Sequence, residues 1–336
     1  MDPLVQGLLG ASASLSVSRP KDSRAAFWLG LLGGLAPDLD VLIRSNSDPL
    51  LALQYHRHFT HSLVFIPAGG FFVAALVYPF VRQLVGFRKA WLFATLGWAT
   101  HGLLDACTNY GTQLLWPFSN LRVAWNNVAI VDPVVTIALV VGVWKALRTQ
   151  SMVWARRGGA VVLVYLAFGV LQHARAVRAL DKAALAQGHV PTRLTAKPTV
   201  LNNILFRGLY EFQGNYYVAA VRAPWFGSSQ VSRFSSVPAL DLERDLPELP
   251  TGSLQRRDLE RFAWFSDGFL NRHPADPFLI GDLRFSMLPD DIAPMWAVRI
   301  DPSRPMEHVG YETFSGRATS ETWNRFVALL KGPLFP

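Results

Sequence analysis

Long apolar runs constrain this chain more than any other feature of its sequence. A helix needs about 20 mostly apolar residues to cross the hydrocarbon core of a bilayer. Runs near that length recur from about Ala25 to Ile43, Ser62 to Val81, Ala90 to Cys107, Val128 to Leu147 and Gly158 to Val177. Residues 3–18 form a further apolar stretch, short for a span and rich in small residues (Gly7, Gly10, Ala11, Ser12, Ala13, Ser14). That stretch fits a short span, a re-entrant helix or an interfacial one. The expected fold is an α-helical polytopic membrane domain with four to six membrane helices over residues 1–180. A small α+β extramembrane domain is expected to follow over residues 181–336.

Composition supports the division. Residues 1–180 contain no Glu, and their only acids are Asp2, Asp22, Asp38, Asp40, Asp48, Asp105 and Asp132. The formal net charge of +8 would suit nucleic acid, but the basic residues of the first half sit at the ends of apolar runs. They fall at Arg19, Lys21 and Arg24, at Arg82, Arg88 and Lys89, and at Lys145, Arg148, Arg156 and Arg157. Membrane spans are flanked in this way, and no basic stripe interleaved with aromatics appears, so nucleic acid is not an expected partner. The single cysteine, Cys107, excludes an intrachain disulfide. Residues 1–18 do not read as a secretory signal, because Lys and Arg follow the apolar stretch rather than precede it.

Positive charge also predicts orientation. The basic segments 19–24, 82–89 and 145–157 are expected in the cytoplasm, and segments 44–61 and 108–127 outside. The fifth span then delivers residues 181–336 to the external side. In that region Tyr216–Arg222, Phe278–Phe285 and Met295–Ile300 read as strands, Ser253–Phe269 and Ser320–Leu330 as helices, and the Pro- and Ser-rich stretch 224–252 as loop.

Against this background the placement of titratable residues is informative. Asp38 and Asp40 close the first apolar run, and His56, Arg57, His58, Thr60 and His61 lead into the second. His101 and Asp105 lie near the end of the third, and Asp132 begins the fourth. All these ends are assigned to one membrane face by the Lys/Arg bias alone. Charged groups in spans cost several kcal/mol, so they pair, bind something or serve function. His101 and Asp105 are four apart and share a helical face, where an imidazole and a carboxylate can bind one cation. His56 and His61 are five apart and converge only if the chain turns into its helix near Thr60. Asp38 and Asp40 follow Pro37, so the helix is expected to end there with either carboxylate free to point inward. Imidazole plus carboxylate suits Zn, Mn or Fe, and the lack of a Cys set argues against a structural zinc knuckle. The bland readings are a cap or ion pair for a lone Asp and simple exposure for a lone His; His173, His189, His273 and His308 belong there. No H-E-x-x-H helix, G-x-S-x-G elbow or phosphate-binding Walker loop is present.

Several motifs together carry a resemblance. They are Met1-Asp2-Pro3, Gln6–Ala11, Pro37-Asp38-Leu39-Asp40, His56–Ser62, His101-Gly102-Leu103-Leu104-Asp105, Thr108–Thr112, Trp116–Ser119, Arg122–Asn126 and Asp132-Pro133. Later come Trp264–Phe269 and Gly281–Arg284. This pattern resembles the YdjM-like family of bacterial inner-membrane metal-dependent hydrolases. The resemblance implies that Asp40, His56, His61, His101 and Asp105 hold the metal, with Asp38 nearby, and that Arg57 is placed to hold an anionic group. His58 stands where the family often has Gly, and Gln6 where relatives can carry His. The family is also distantly similar to zinc-dependent phospholipase C and P1-type nucleases, the one pointer toward phosphoester chemistry.

The expectation that follows is a hydrolase at the external membrane face, using one or two divalent ions to activate water. Arg57, Arg122 and Asp38 are its expected catalytic groups, with Thr60, Asn126 and Asp132 orienting imidazoles. Its expected partners are membrane lipids and a lipid-linked or amphiphilic phosphoester substrate. The rival expectation is a non-catalytic membrane protein whose metal ties span ends together and whose C-terminal domain binds an envelope partner. A transporter fits less well, because the charges gather at one face rather than at the bilayer midplane.

Overall fold

The computed structural model describes residues 1–314 and 319–334. Seven helices precede the first strand. They are α1 (Pro3–Val17), α2 (Ser23–Leu35), α3 (Leu51–Tyr55), α4 (Ile66–Val81), α5 (Phe87–Cys107), α6 (Pro133–Thr149) and α7 (Val153–Ala186). Their starts are written in the sequence. Asp2 caps α1 by accepting from the Leu4 N–H at 3.0 Å, with Pro3 at the first helical position. Asp132 caps α6, its Oδ1 accepting from the N–H groups of Val134 and Val135 at 2.9 and 3.3 Å, again ahead of a proline. Pro37 has no N–H to donate to the carbonyl four residues back, and α2 gives way to a 3-10 segment over Ala36–Leu42.

The chain divides into two compact units. The first comprises Met1–Leu42, Tyr55–Leu171 and Val200–Asn203. Its core joins Val5, Leu8 and Leu15 of α1 with Leu29 of α2, Phe93 and Trp98 of α5 and Leu139 of α6. Apolar side chains have no preference for one another over lipid, so close backbone approach through small residues is what holds such helices together. A Cβ at Gly10 of α1 or at Gly97 of α5 would each lie 2.3 Å from the Gly30 carbonyl oxygen of α2. Glycine at those positions lets α1 and α5 close on α2 from two sides.

Three helical stretches among the described residues are long and apolar enough to cross a membrane: Pro20–Leu42, Leu63–Val81 and Val153–Ala186. The expected count of four to six is not reached on that measure. At 1.5 Å per residue, the 15 residues of α1 and the 17 of α6 extend only about 22 and 26 Å, short of a core about 30 Å thick. Helix α5 has the length, at 21 residues, but carries Arg88, Lys89, His101 and Asp105.

The second unit comprises Ile43–Gln54, Gln172–Thr199 and Ile204–Pro336. It contains two antiparallel sheets. The first has strands β1 (Arg193–Pro198), β2 (Leu205–Phe212), β3 (Asn215–Arg222) and β4 (Gln230–Val231) in that order, with β5 (Ser235–Pro238) also on β3. The β2–β3 hairpin turns through Gln213 and Gly214, both at positive φ (49° and 72°), as a two-residue turn requires. Ala176, Leu180 and Ala184 of α7 pack on this sheet against Phe206, Tyr210 and Val221. After the short α8 (Leu242–Asp245) and α9 (Leu254–Phe265) comes the second sheet, β6 (Leu270–His273), β7 (Asp276–Asp282), β8 (Trp296–Arg299) and β9 (Gly310–Thr313), and then α10 (Ser320–Lys331). The three strands and two helices expected in this region are present. The stretch 224–252 is not all loop, since it contains β4, β5 and α8.

Candidate metal centre

Three segments of the first unit deliver the site. The 3-10 segment advances three residues per turn, so Asp38 and Asp40 point about a third of a turn apart and serve different neighbours. Helix α5 presents His101 and Asp105 from one face, both buried. The segment from Tyr55 to His61 supplies the rest, bent by Arg57 at φ 63°, a left-handed conformation rarely taken by a side chain of this size.

Asp38, His61, His101 and Asp105 offer ligand atoms that all lie within 4.8 Å of one another. Asp38 Oδ1 is 3.5 Å from His61 Nε2 and 3.3 Å from His101 Nε2. Asp105 Oδ2 is 3.4 Å from His61 Nε2 and 3.8 Å from His101 Nε2. Ligands about 2.1 Å from a tetrahedral zinc stand about 3.4 Å from each other, so these four separations are of the size that a shared metal ion requires.

Hydrogen bonding fixes which nitrogens face the centre. His101 Nδ1 donates to the Gly34 carbonyl at 2.6 Å, which leaves Nε2 with its lone pair directed inward. His61 Nδ1 lies 3.2 Å from Asp40 Oδ2 and 3.0 Å from Thr60 Oγ1, with the same consequence. His61 Nε2 and His101 Nε2 are buried and make no hydrogen bond, and Asp105 Oδ2 beside them has an ion pair with Arg57 Nε at 3.0 Å. Buried polar atoms are rarely left without a hydrogen bond; two imidazole nitrogens facing two carboxylates fit a bound cation.

Asp40 is set one layer back. Its carboxylate accepts from the Arg57 N–H at 2.9 Å and the Thr60 hydroxyl at 3.0 Å, and meets His56 Nδ1 at 2.9 Å. With Asp38 and His56 it forms a second group of metal-ligand spacing. Asp38 is common to both groups, an arrangement able to bridge two ions. The residues named from the sequence are therefore brought together, but Asp38 joins the inner four while Asp40 and His56 stand beside them.

Arg57 and Arg122 are not presented to an open site. The Arg57 guanidinium donates to Thr108 Oγ1 at 2.9 Å, its Nε lies 3.0 Å from Asp105 Oδ2, and it stacks 4.9 Å over the Tyr110 ring. Arg122 lies 5.5 Å over the same ring and donates to the carbonyls of Tyr110 and Gly111 at 3.3 and 3.1 Å. Thr60 orients an imidazole as expected. Asp132 instead caps α6 and accepts from the Tyr165 hydroxyl at 2.8 Å, and Asn126 donates to the Ala124 carbonyl at 3.1 Å. Sequence reasoning missed Gln6 as a support: its Nε2 donates to Asp105 Oδ1 at 2.8 Å, and the Met1 amino group meets the same oxygen. A buried amide on an otherwise small and apolar helix was the available signal.

Comparison with known proteins converges on the same half of the chain. The profile of a family described as YdjM inner membrane protein matches residues 1–176, which include every residue of this centre. The uncharacterized protein YfhP of Bacillus subtilis is 30% identical over 149 residues, covering 43% of this chain and 45% of YfhP. The inner membrane protein YbcI of Escherichia coli is 35% identical over 100 residues, covering 28% of this chain and 55% of YbcI. The chain thus spans about half the length of these curated relatives. No solved structure matches it.

Proposed function

The chain belongs to the family of YdjM inner membrane proteins, and from that premise and the side chains above we propose that it is a membrane-embedded metal-dependent hydrolase. Its substrate is proposed to be a lipid-linked or amphiphilic phosphoester, cleaved at the external face. The observation that carries the reading is the pair of buried imidazole nitrogens, His61 Nε2 and His101 Nε2, that make no hydrogen bond and share a ligand-sized space with the carboxylates of Asp38 and Asp105. A divalent ion of the zinc, manganese or iron class would lower the pKa of water toward about 7 and polarise a phosphoryl oxygen. Asp38, His61, His101 and Asp105 would hold it, with Asp40 and His56 available for a second.

The chain's own groups do the rest. Gly34, Thr60 and Asp40 hold the imidazoles in the tautomer that exposes Nε2. Gln6 and Arg57 hold the Asp105 carboxylate in place. Asp38 is less buried than its three companions, and as the outermost member of the set it would leave the position nearest solvent for water or substrate.

The test is metal content by mass spectrometry on detergent-purified protein, beside a turnover screen on phospholipids and lipid phosphates. Near-stoichiometric metal is expected in wild type and not in folded His101→Ala or Asp105→Ala, together with metal-dependent release of phosphate or headgroup. Wild-type protein that binds no metal after reconstitution would overturn the reading.

One observation favours a second reading, in which the metal is structural. Arg57 is engaged by Asp105, Thr108 and Tyr110 rather than offered to a substrate anion. Under that reading Asp105→Ala lowers thermal stability, and no lipid phosphate is turned over by any metal-loaded form.

A further inference from the structure

Outside the metal centre, one loop of the second unit is built to display aromatic side chains. Phe226 is 89% exposed and Trp225 48% exposed. An exposed loop with two large aromatics is ordinarily loosely held, but here its backbone is clamped from α7. The Arg175 guanidinium donates to the carbonyls of Pro224 at 2.6 Å and Gly227 at 2.8 Å, one on each side of the pair. Gln172 Nε2 donates to the Ala223 carbonyl at 2.7 Å. With the Trp225 carbonyl, 3.5 Å from Arg175, four backbone carbonyls are tied to two side chains one turn apart on a single helix, and the loop backbone that carries the aromatics is held at the level of that turn.

The position of that turn along α7 is informative. The apolar, exposed face of the helix runs through Val161, Leu163, Val164, Val170 and Leu171, and Gln172 opens the first polar turn after it. Arg156 and Arg157 precede the apolar face at the other end. From Arg156 to Arg175 is 19 residues, about 28 Å of helix, against a hydrocarbon core about 30 Å thick. One arginine cluster therefore marks one bilayer surface and Arg175 the other, where Trp and other amphipathic aromatics concentrate in membrane proteins.

We propose that the Trp225–Phe226 loop is an interfacial anchor that inserts its aromatic side chains at the headgroup–acyl boundary of the leaflet into which α7 emerges. The partner is the lipid surface itself. The inference depends on α7 crossing the bilayer and is independent of the metal centre and of any catalysis.

The test uses the full chain in nanodiscs of phosphatidylglycerol and phosphatidylethanolamine. An environment-sensitive fluorophore is attached at Phe226→Cys and, separately, at Ser228→Cys, with the exposed Glu248→Cys as aqueous reference; the native Cys107 is buried. Lipids bearing a nitroxide just below the headgroup should quench the two loop probes at least threefold more than the reference, with blue-shifted emission and weak quenching by iodide. Loop probes that iodide quenches as strongly as the reference, without nitroxide quenching, would overturn the proposal. Because Phe226 and Ser228 are both exposed, loss of one variant to misfolding leaves the other to decide.

Discussion

Two carboxylates separated by one residue do different work in this chain. Asp38 faces the ring nitrogens of His61 and His101, while Asp40 is spent on Arg57, Thr60, His56 and the far side of His61. Asp38→Ala is expected to cost more than about 100-fold in metal affinity, because it removes a donor from the inner four. Asp40→Ala should cost about 10- to 100-fold, the usual effect of removing a group that orients a ligand. Chelator-competition titration of folded variants measures both, and the reverse order would make Asp40 the ligand. The membership of the cluster was legible in the sequence, because His101 and Asp105 share a helical face and the other groups crowd the neighbouring run ends. The division of labour between Asp38 and Asp40 was not. It depends on the 3-10 turn that replaces the α-helix after Leu35, and an i, i+2 pair has no fixed relation to a common target until that geometry is known. The engagement of Arg57 and Arg122 around Tyr110 was equally hidden, since a ring between two guanidiniums comes from tertiary folding of segments far apart in sequence.

At the scale of elements, the centre depends on how closely α2 and α5 approach. Gly34 and His101 come from these two helices, and Gly97 lies one turn before His101 on the same helix. Gly97→Ala would place a Cβ 2.3 Å from the Gly30 carbonyl oxygen, so the helices must separate. Overpacking of this kind costs about 1–3 kcal/mol or more, and the shift also draws His101 Nδ1 off the Gly34 carbonyl. A lowered melting temperature in detergent together with weakened metal binding is expected; weakened binding without destabilisation would point away from helix separation as the cause.

The second unit has its own clasp, and it responds to pH. Arg261 donates to both carboxylate oxygens of Asp48 at 3.1 and 2.9 Å and to Asp258 at 2.9 Å, tying segment 43–54 to α9. Burial favours the neutral form of Asp48, but the hydrogen bonds from Arg261 and from the Leu50 N–H outweigh it and hold the carboxyl below its usual range. A carboxyl with a depressed folded-state pKa contributes stability above its unfolded value near 4 and loses it as pH falls through the folded value. The melting temperature of Arg261→Ala should therefore lie below wild type at pH 7, with the gap narrowing as pH drops from about 4 toward 3. A gap that persists unchanged in acid would assign the effect to packing. The helices of the first unit were legible because long apolar runs leave little alternative in a bilayer. Strand β2 was not, because Leu205–Tyr210 is buried on both faces and shows no alternation. It also buries Arg207, whose guanidinium is satisfied by the carbonyls of Leu283, Leu288, Pro289 and Asp291.

For the whole molecule, the number of spans decides the side on which the chain emerges. Segments 19–24, 82–89 and 145–157 are rich in Lys and Arg, which predicts that the start of α2, the end of α4 and the start of α7 lie on the cytoplasmic side. Between α4 and α7 stand only α5 and α6. Helix α5 is expected to cross with α2 and α4, because its His101 and Asp105 meet Asp38 and His61; if α6 crosses too, the chain returns to the cytoplasmic side before α7. Helix α1 affects only the position of the N-terminus. The expectation is therefore that α2, α4, α5, α6 and α7 cross and that the second unit is external. It is tested with the Glu248→Cys variant in intact cells, using a membrane-impermeant maleimide before and after permeabilisation. Labelling in intact cells is the expected result. Labelling only after permeabilisation would mean that α7 runs the other way or that just one of α5 and α6 crosses. It would also move the Trp225–Phe226 loop to the cytoplasmic leaflet without altering its predicted depth, because that depth is set by the distance from Arg156 to Arg175 and not by the direction of the helix.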